Sequence, residues 1–132
     1  MNKSIFLVDV GVNIDELKST ITKFPNSIIF TLDYEIHLLL QKHGISHELG
    51  EDVLSINDFN KIDKGSINLT ENCFKKFKDE LTIKNIFLPE LIEHKLFPFF
   101  LAQFLKTYVI LKILENYSSE QIFDFTNFHD FI

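Results

Sequence analysis

The first fifty residues alternate between two incompatible periodicities, and this constrains the fold more than any other feature. The run SIFLVDV (residues 4–10) is apolar and β-branched without polar alternation, as a strand covered on both faces requires. GVN then turns the chain, and Asn13 is placed to cap a helix over residues 14–24, where Leu17, Ile21 and Phe24 share one face. Pro25 ends that helix, because a proline disfavours helical backbone at the residue before it. SIIFTL (residues 27–32) is a second buried strand, and Asp33 can cap a helix that carries Ile36, Leu38, Leu39 and Leu40 and stops at Gly44. ISHEL (residues 45–49) alternates, which predicts a third, more exposed strand.

From Ser55 the spacing turns helical through Ile56, Phe59 and Ile62, with a break expected at DKGS (residues 63–66). Thr70 is a plausible cap for LTENCFKKFKDEL, and a long apolar stretch follows, expected as two helical pieces hinged near Pro98. QIFDFTNF (residues 121–128) alternates as a fourth strand. Strands alternating with helices imply parallel pairing through right-handed crossovers. The expected fold is therefore α/β: a three-layer, Rossmann-like parallel sheet of about four strands, order 3-2-1-4, with an extra helical insertion before the last strand.

Composition narrows the function. The 132 residues are read as a single domain, and 45% apolar content with 24% charge describes a folded chain. A formal net charge of -6 speaks against a nucleic-acid surface, which needs clustered cations to replace phosphate counterions. The densest basic run, Lys75, Lys76 and Lys78, is followed at once by Asp79 and Glu80. Cys73 stands alone, so neither a disulfide framework nor a cysteine zinc site is expected, and a cytoplasmic setting fits. The apolar stretch around residues 96–114 carries Pro98, Gln103, Lys106 and Lys112, so no membrane span is expected there. The chain stops at FHDFI directly after the fourth strand, which suggests the N-terminal part of a longer protein or an edge covered by a second copy.

In open parallel sheets ligands bind outside the C-terminal strand ends, near the point where strand order reverses. That rule gathers Asp9, Gly11 and Asn13 after the first strand, and Asp33 with Tyr34 after the second. Glu51 and Asp52 follow the third, and Asn127, His129 and Asp130 the fourth. An acidic rim of this kind could hold Mg²⁺, supply a general base or bind sugar hydroxyls. Asp and Asn also occupy such positions simply as helix caps. DVGVN has one glycine where a dinucleotide fingerprint has three, and no phosphate-loop lysine follows, so no nucleotide cofactor is expected. HGISH offers His43 and His47 four apart, but Gly44 breaks the helix that would align them, and no metal site is expected. His94 and His129 are lone residues, and no nucleophile motif is present.

The stretch TLDYEIHLLLQKHGISHELGEDVLS resembles the second βαβ segment of glycosyltransferase-like proteins of surface-carbohydrate (lipopolysaccharide or capsule) biosynthesis. Asp33-Tyr34, the turn from His43 to His47, and Glu51-Asp52-Val53-Leu54-Ser55 match in order, over about 50 residues. The resemblance implies the N-terminal, acceptor-side half of a two-domain transferase, inactive alone, whose partner is a C-terminal nucleotide-sugar-binding domain. It makes Asp9, Asp33 or His129 the candidate base, with Gly11, Asn13, Tyr34, Glu51, Asp52 and Asn127 around the substrate.

Two other readings compete. One is a non-catalytic interaction module that docks on a partner, or on a second copy, through the apolar helix near the C-terminus. The other is a Mg²⁺-dependent phosphoryl-transfer domain using Asp9, Asp33 and a later acid.

Overall fold

A computed structural model describes residues 3–77, 82–83, 86–117 and 119–125, with side chains for 3–76, 96–117 and 121–125. Two compact units divide the chain: Met1–Val53 with Val109–Ile132, and Leu54–Tyr108 between them in sequence.

The first unit is the expected α/β sheet. Strands β1 (Lys3–Val8), β2 (Ser27–Thr31) and β3 (Glu48–Leu49) alternate with helices α1 (Ile14–Lys23) and α2 (Tyr34–Lys42). The last strand among the described residues, β6 (Ser119–Phe125), joins the same sheet. The order is β3-β2-β1-β6, all parallel. Ile5, Phe6, Leu7 and Val8 are all buried, as an apolar run without alternation demands of a central strand with both faces covered. Phe6 and Val8 meet Leu17 of α1 and Ile36 and Leu40 of α2 in one core cluster, with Phe123 and Phe125 packed against it.

Local signals set the helix ends. The Asn13 side chain accepts from the Glu16 amide at 3.1 Å, and Asp15 and Glu16 lie where the helix dipole favours negative charge. At the other end of α2, Gly44 takes a φ of +66°. Its amide donates to the Gln41 carbonyl at 3.1 Å, and the Ile45 amide reaches back to the Leu40 carbonyl at 3.0 Å. Those two bonds form a Schellman turn, which reverses the chain at the end of the helix. The turn consumes residues expected as strand: β3 is only Glu48–Leu49, not 45–49, because Ile45 to His47 complete the reversal.

The following 3₁₀ turn, Gly50–Val53, comes close to β2. A β-carbon on Gly50 would lie 2.7 Å from the Thr31 carbonyl and 2.7 Å from a Val109 methyl, so the backbone passes where only glycine fits.

The second unit holds helix α3 (Ile56–Phe77), the short antiparallel pair β4 (Thr82–Ile83) and β5 (Ile86–Phe87), and helix α4 (Leu88–Asn116) as far as Tyr108. The β4–β5 pair has no counterpart among the sequence expectations. The break expected at residues 63–66 is absent: α3 runs through Gly65 and Ser66. The Ser66 hydroxyl donates to the Ile62 carbonyl at 2.7 Å, the Thr70 hydroxyl to the Ser66 carbonyl at 2.8 Å, and both side chains are buried. Polar groups that would favour a turn are thus satisfied within the helix. Thr70 is consequently interior, not a cap.

Likewise α4 continues through Pro98, where two hinged pieces were expected. Proline removes one amide donor, and a helix this long propagates past that loss. Its segment Leu96–Asn116, 21 residues, is long and apolar enough by length and composition to cross a membrane, with 11% of its most apolar window buried.

Candidate functional site

The order of strands reverses at β1, where β2 lies on one side and β6 on the other. Asp9 stands at that point, one residue beyond β1, and is only 6% exposed. Its amide donates to the Phe125 carbonyl at 3.2 Å, which ties the end of β1 to β6. Its Oδ1 accepts from the Val10 amide at 2.8 Å, and its carbonyl accepts from the Val12 amide at 3.3 Å. Gly11, with a φ of 90°, completes this tight turn into α1. The carboxylate is therefore held by its own loop at the sheet end where the strand order reverses.

The neighbouring strand end carries Asp33. Val8 is level with Thr31, and the Leu32 amide donates to the Val8 carbonyl at 2.9 Å, so Asp9 and Asp33 follow adjoining strands. Their side chains have different tasks. Asp33 caps α2 by accepting from the Glu35 amide at 2.8 Å, just as Asn13 caps α1. Tyr34 is 63% exposed, its ring tilted against His37 at 5.4 Å between centroids. Glu51 and Asp52 lie in the 3₁₀ turn after β3, with Glu51 and Asp52 both exposed. Asn127, His129 and Asp130 lie outside the described residues, as does the His94 side chain.

A second polar cluster lies on the flank of the sheet. His47, carried back by the Schellman turn, places its Nε2 2.8 Å from Nδ1 of His37 on α2. The other ring nitrogen of His47 is 2.7 Å from the Ile45 carbonyl. A carbonyl only accepts, so Nδ1 of His47 bears the hydrogen and its Nε2 presents a lone pair toward His37. In the neutral pair His37 then donates from Nδ1. His37, Gln41, Gly44, Ile45, Ser46 and His47 border a surface cavity of about 380 Å³.

Sequence spacing offers His43 four residues before His47, a pairing set aside because Gly44 breaks the helix between them. His43 is instead the C-cap residue of α2. The missed partner is His37, about one and two-thirds helical turns before His43, and the readable signal was a C-terminal glycine that folds the chain back along the helix it ends. Among the described residues, no group of three or more His, Cys, Asp or Glu side chains is arranged to hold a metal ion.

Compared with protein-family models, curated proteins and solved structures, the chain matches none.

Proposed function

We propose that the sheet-bearing unit is the acceptor-side half of a glycosyltransferase-like protein of surface-polysaccharide biosynthesis, working with a separate domain that holds the nucleotide sugar. The observation that carries this reading is Asp9, a carboxylate nine-tenths buried at the reversal of strand order. A carboxylate there can accept hydrogen bonds from vicinal hydroxyls or take a proton from an attacking hydroxyl. The turn after β1 has a single glycine and no lysine, unlike loops that cradle a diphosphate, which suits the acceptor side over the donor side. Asp33 and Asn13 act by holding the two helices that frame the strand ends, and the roles of His129 and Asn127 follow from the resemblance alone.

Titration of the ¹⁵N-labelled chain with oligosaccharide fragments tests the proposal. Saturable shifts at the amides of Val10, Gly11 and Val12 are expected, weakened about tenfold by Asp9→Asn through loss of charge-assisted bonds. Stronger binding of a nucleotide than of any sugar fragment overturns the assignment of sides. Heat on adding Mg²⁺ alone, lost in Asp9→Asn, would favour the phosphoryl-transfer reading instead.

A docking role has its own support in α4, where Leu111 is 52% and Leu114 44% exposed. Large side chains left in water over one helix are what a partner or a second copy would cover. Light scattering decides: a tight dimer dispersed by Leu111→Lys favours docking, and a monomer removes a second copy as the partner.

A further inference from the structure

We propose that His37 and His47 form a two-imidazole binding site for a divalent transition-metal ion, with copper(II) the best-fitting occupant. Three features of the pair converge on this. The first is distance: Nδ1 of His37 and Nε2 of His47 are 2.8 Å apart. Two nitrogens each about 2.0–2.1 Å from one ion lie about 2.9 Å apart when adjacent in a square plane, and about 3.3 Å apart in a tetrahedron. The 2.8 Å contact is the hydrogen bond of the metal-free pair, so the two nitrogens need open only slightly to reach either spacing, and copper(II) is favoured because it heads the order of divalent affinities for imidazole.

The second feature is orientation. The Ile45 carbonyl, 2.7 Å from Nδ1 of His47, fixes the tautomer and the ring so that Nε2 offers its lone pair. A backbone carbonyl behind the ligating imidazole is the usual way a protein holds such a ring for a metal. The Schellman turn holds that carbonyl in turn, through the bond from the Ile45 amide to Leu40.

The third feature is access. Both rings are half-buried and border the same cavity, which also takes in Gln41, one helical turn beyond His37, and Ser46. The Gln41 carboxamide oxygen or water can supply the remaining positions around an ion that two imidazoles bind only in part. Metal binding costs the pair no net proton. The ion replaces the hydrogen bond between the rings, sitting to one side of the line that joins the two nitrogens, and the His37 proton moves from Nδ1 to Nε2 while His47 keeps its own on Nδ1.

Calorimetric titration of the whole chain with copper sulfate at neutral pH, with the electron paramagnetic resonance spectrum of the loaded protein, tests the site. One equivalent is expected to bind, more tightly than zinc chloride by at least about tenfold, following the usual order of divalent affinities. Nitrogen couplings from two imidazoles are expected in the spectrum of the unaltered chain. His37→Gln and His47→Gln should each weaken copper binding by at least about tenfold, as loss of a ligand exceeds the effect of losing its support. His43→Gln should leave binding unchanged. Absence of saturable binding overturns the proposal, as does copper held without imidazole nitrogens, or binding that His43→Gln impairs as much as His37→Gln. The spectrum of the unaltered chain keeps the test decisive even where a variant folds poorly.

Discussion

The Ser55 amide and the Ser55 hydroxyl both donate to one carboxylate oxygen of Asp58, each at 2.8 Å, while the Asp58 amide donates back to the Ser55 hydroxyl at 3.2 Å. This reciprocal box starts α3, with Asp in the place usually held by Glu or Gln. Ser55→Ala is expected to lower stability by about 1 kcal/mol, and Ser55→Thr, which keeps the hydroxyl that donates to Asp58, to restore most of it. Chemical denaturation followed by circular dichroism measures both. An unchanged midpoint for Ser55→Ala would mean that water replaces the cap.

Gly44 resists a side chain for conformational reasons, since its φ of +66° is left-handed. Gly44→Ala is expected to cost about 1 kcal/mol, although open space surrounds the site. Gly44→Asn should cost less, because asparagine visits that region more readily. The order Gly, Asn, Ala in denaturation midpoints checks the assignment.

Gly50 fails for the opposite reason. Its backbone is passable to other residues, but a methyl group would strike the Thr31 carbonyl and the Val109 side chain. Gly50→Ala is expected to cost about 1–3 kcal/mol by overpacking. Adding Val109→Ala should recover part of that loss, and failure of the double variant to recover any would place the strain on the Thr31 carbonyl.

Phe6 stacks on Phe123 with centroids 4.8 Å apart and lies parallel to Phe125 at 6.0 Å. A double-mutant cycle with Phe6→Leu and Phe123→Leu is expected to return a coupling of about 0.5–1.5 kcal/mol. Additive losses would show that the two rings share a core without interacting.

The sheet was legible because its strands are read from buried, unalternating runs whose residues have few other uses. SIFLVDV and SIIFTL became β1 and β2, and the fourth strand paired in the expected place beside β1. What failed was punctuation. Gly65 and Ser66 resemble a turn, yet the Ser66 hydroxyl finds its acceptor inside the helix, and the Phe104 ring edge is 4.0 Å from where a Gly65 side chain would begin. Tertiary packing overrode local preference there. At the strand ends, Asp9, Asp33 and Asn13 were found as positions, but only the coordinates separate the buried carboxylate from the two caps. The His37–His47 pair was hidden because it depends on a chain reversal and not on any spacing between histidines.

The pairing of β1 with β6 places Ile5 beside Ile122 and Phe6 beside Phe123. A ribosome delivers the first of these strands long before the second, so the central strand emerges with one flank unmatched. The sheet closes only after everything between has been made, a late, long-range pairing whose loop-closure entropy comes before its contacts can form. Until then the apolar flank of β1 stands open, and that interval is when the chain has most to gain from a chaperone.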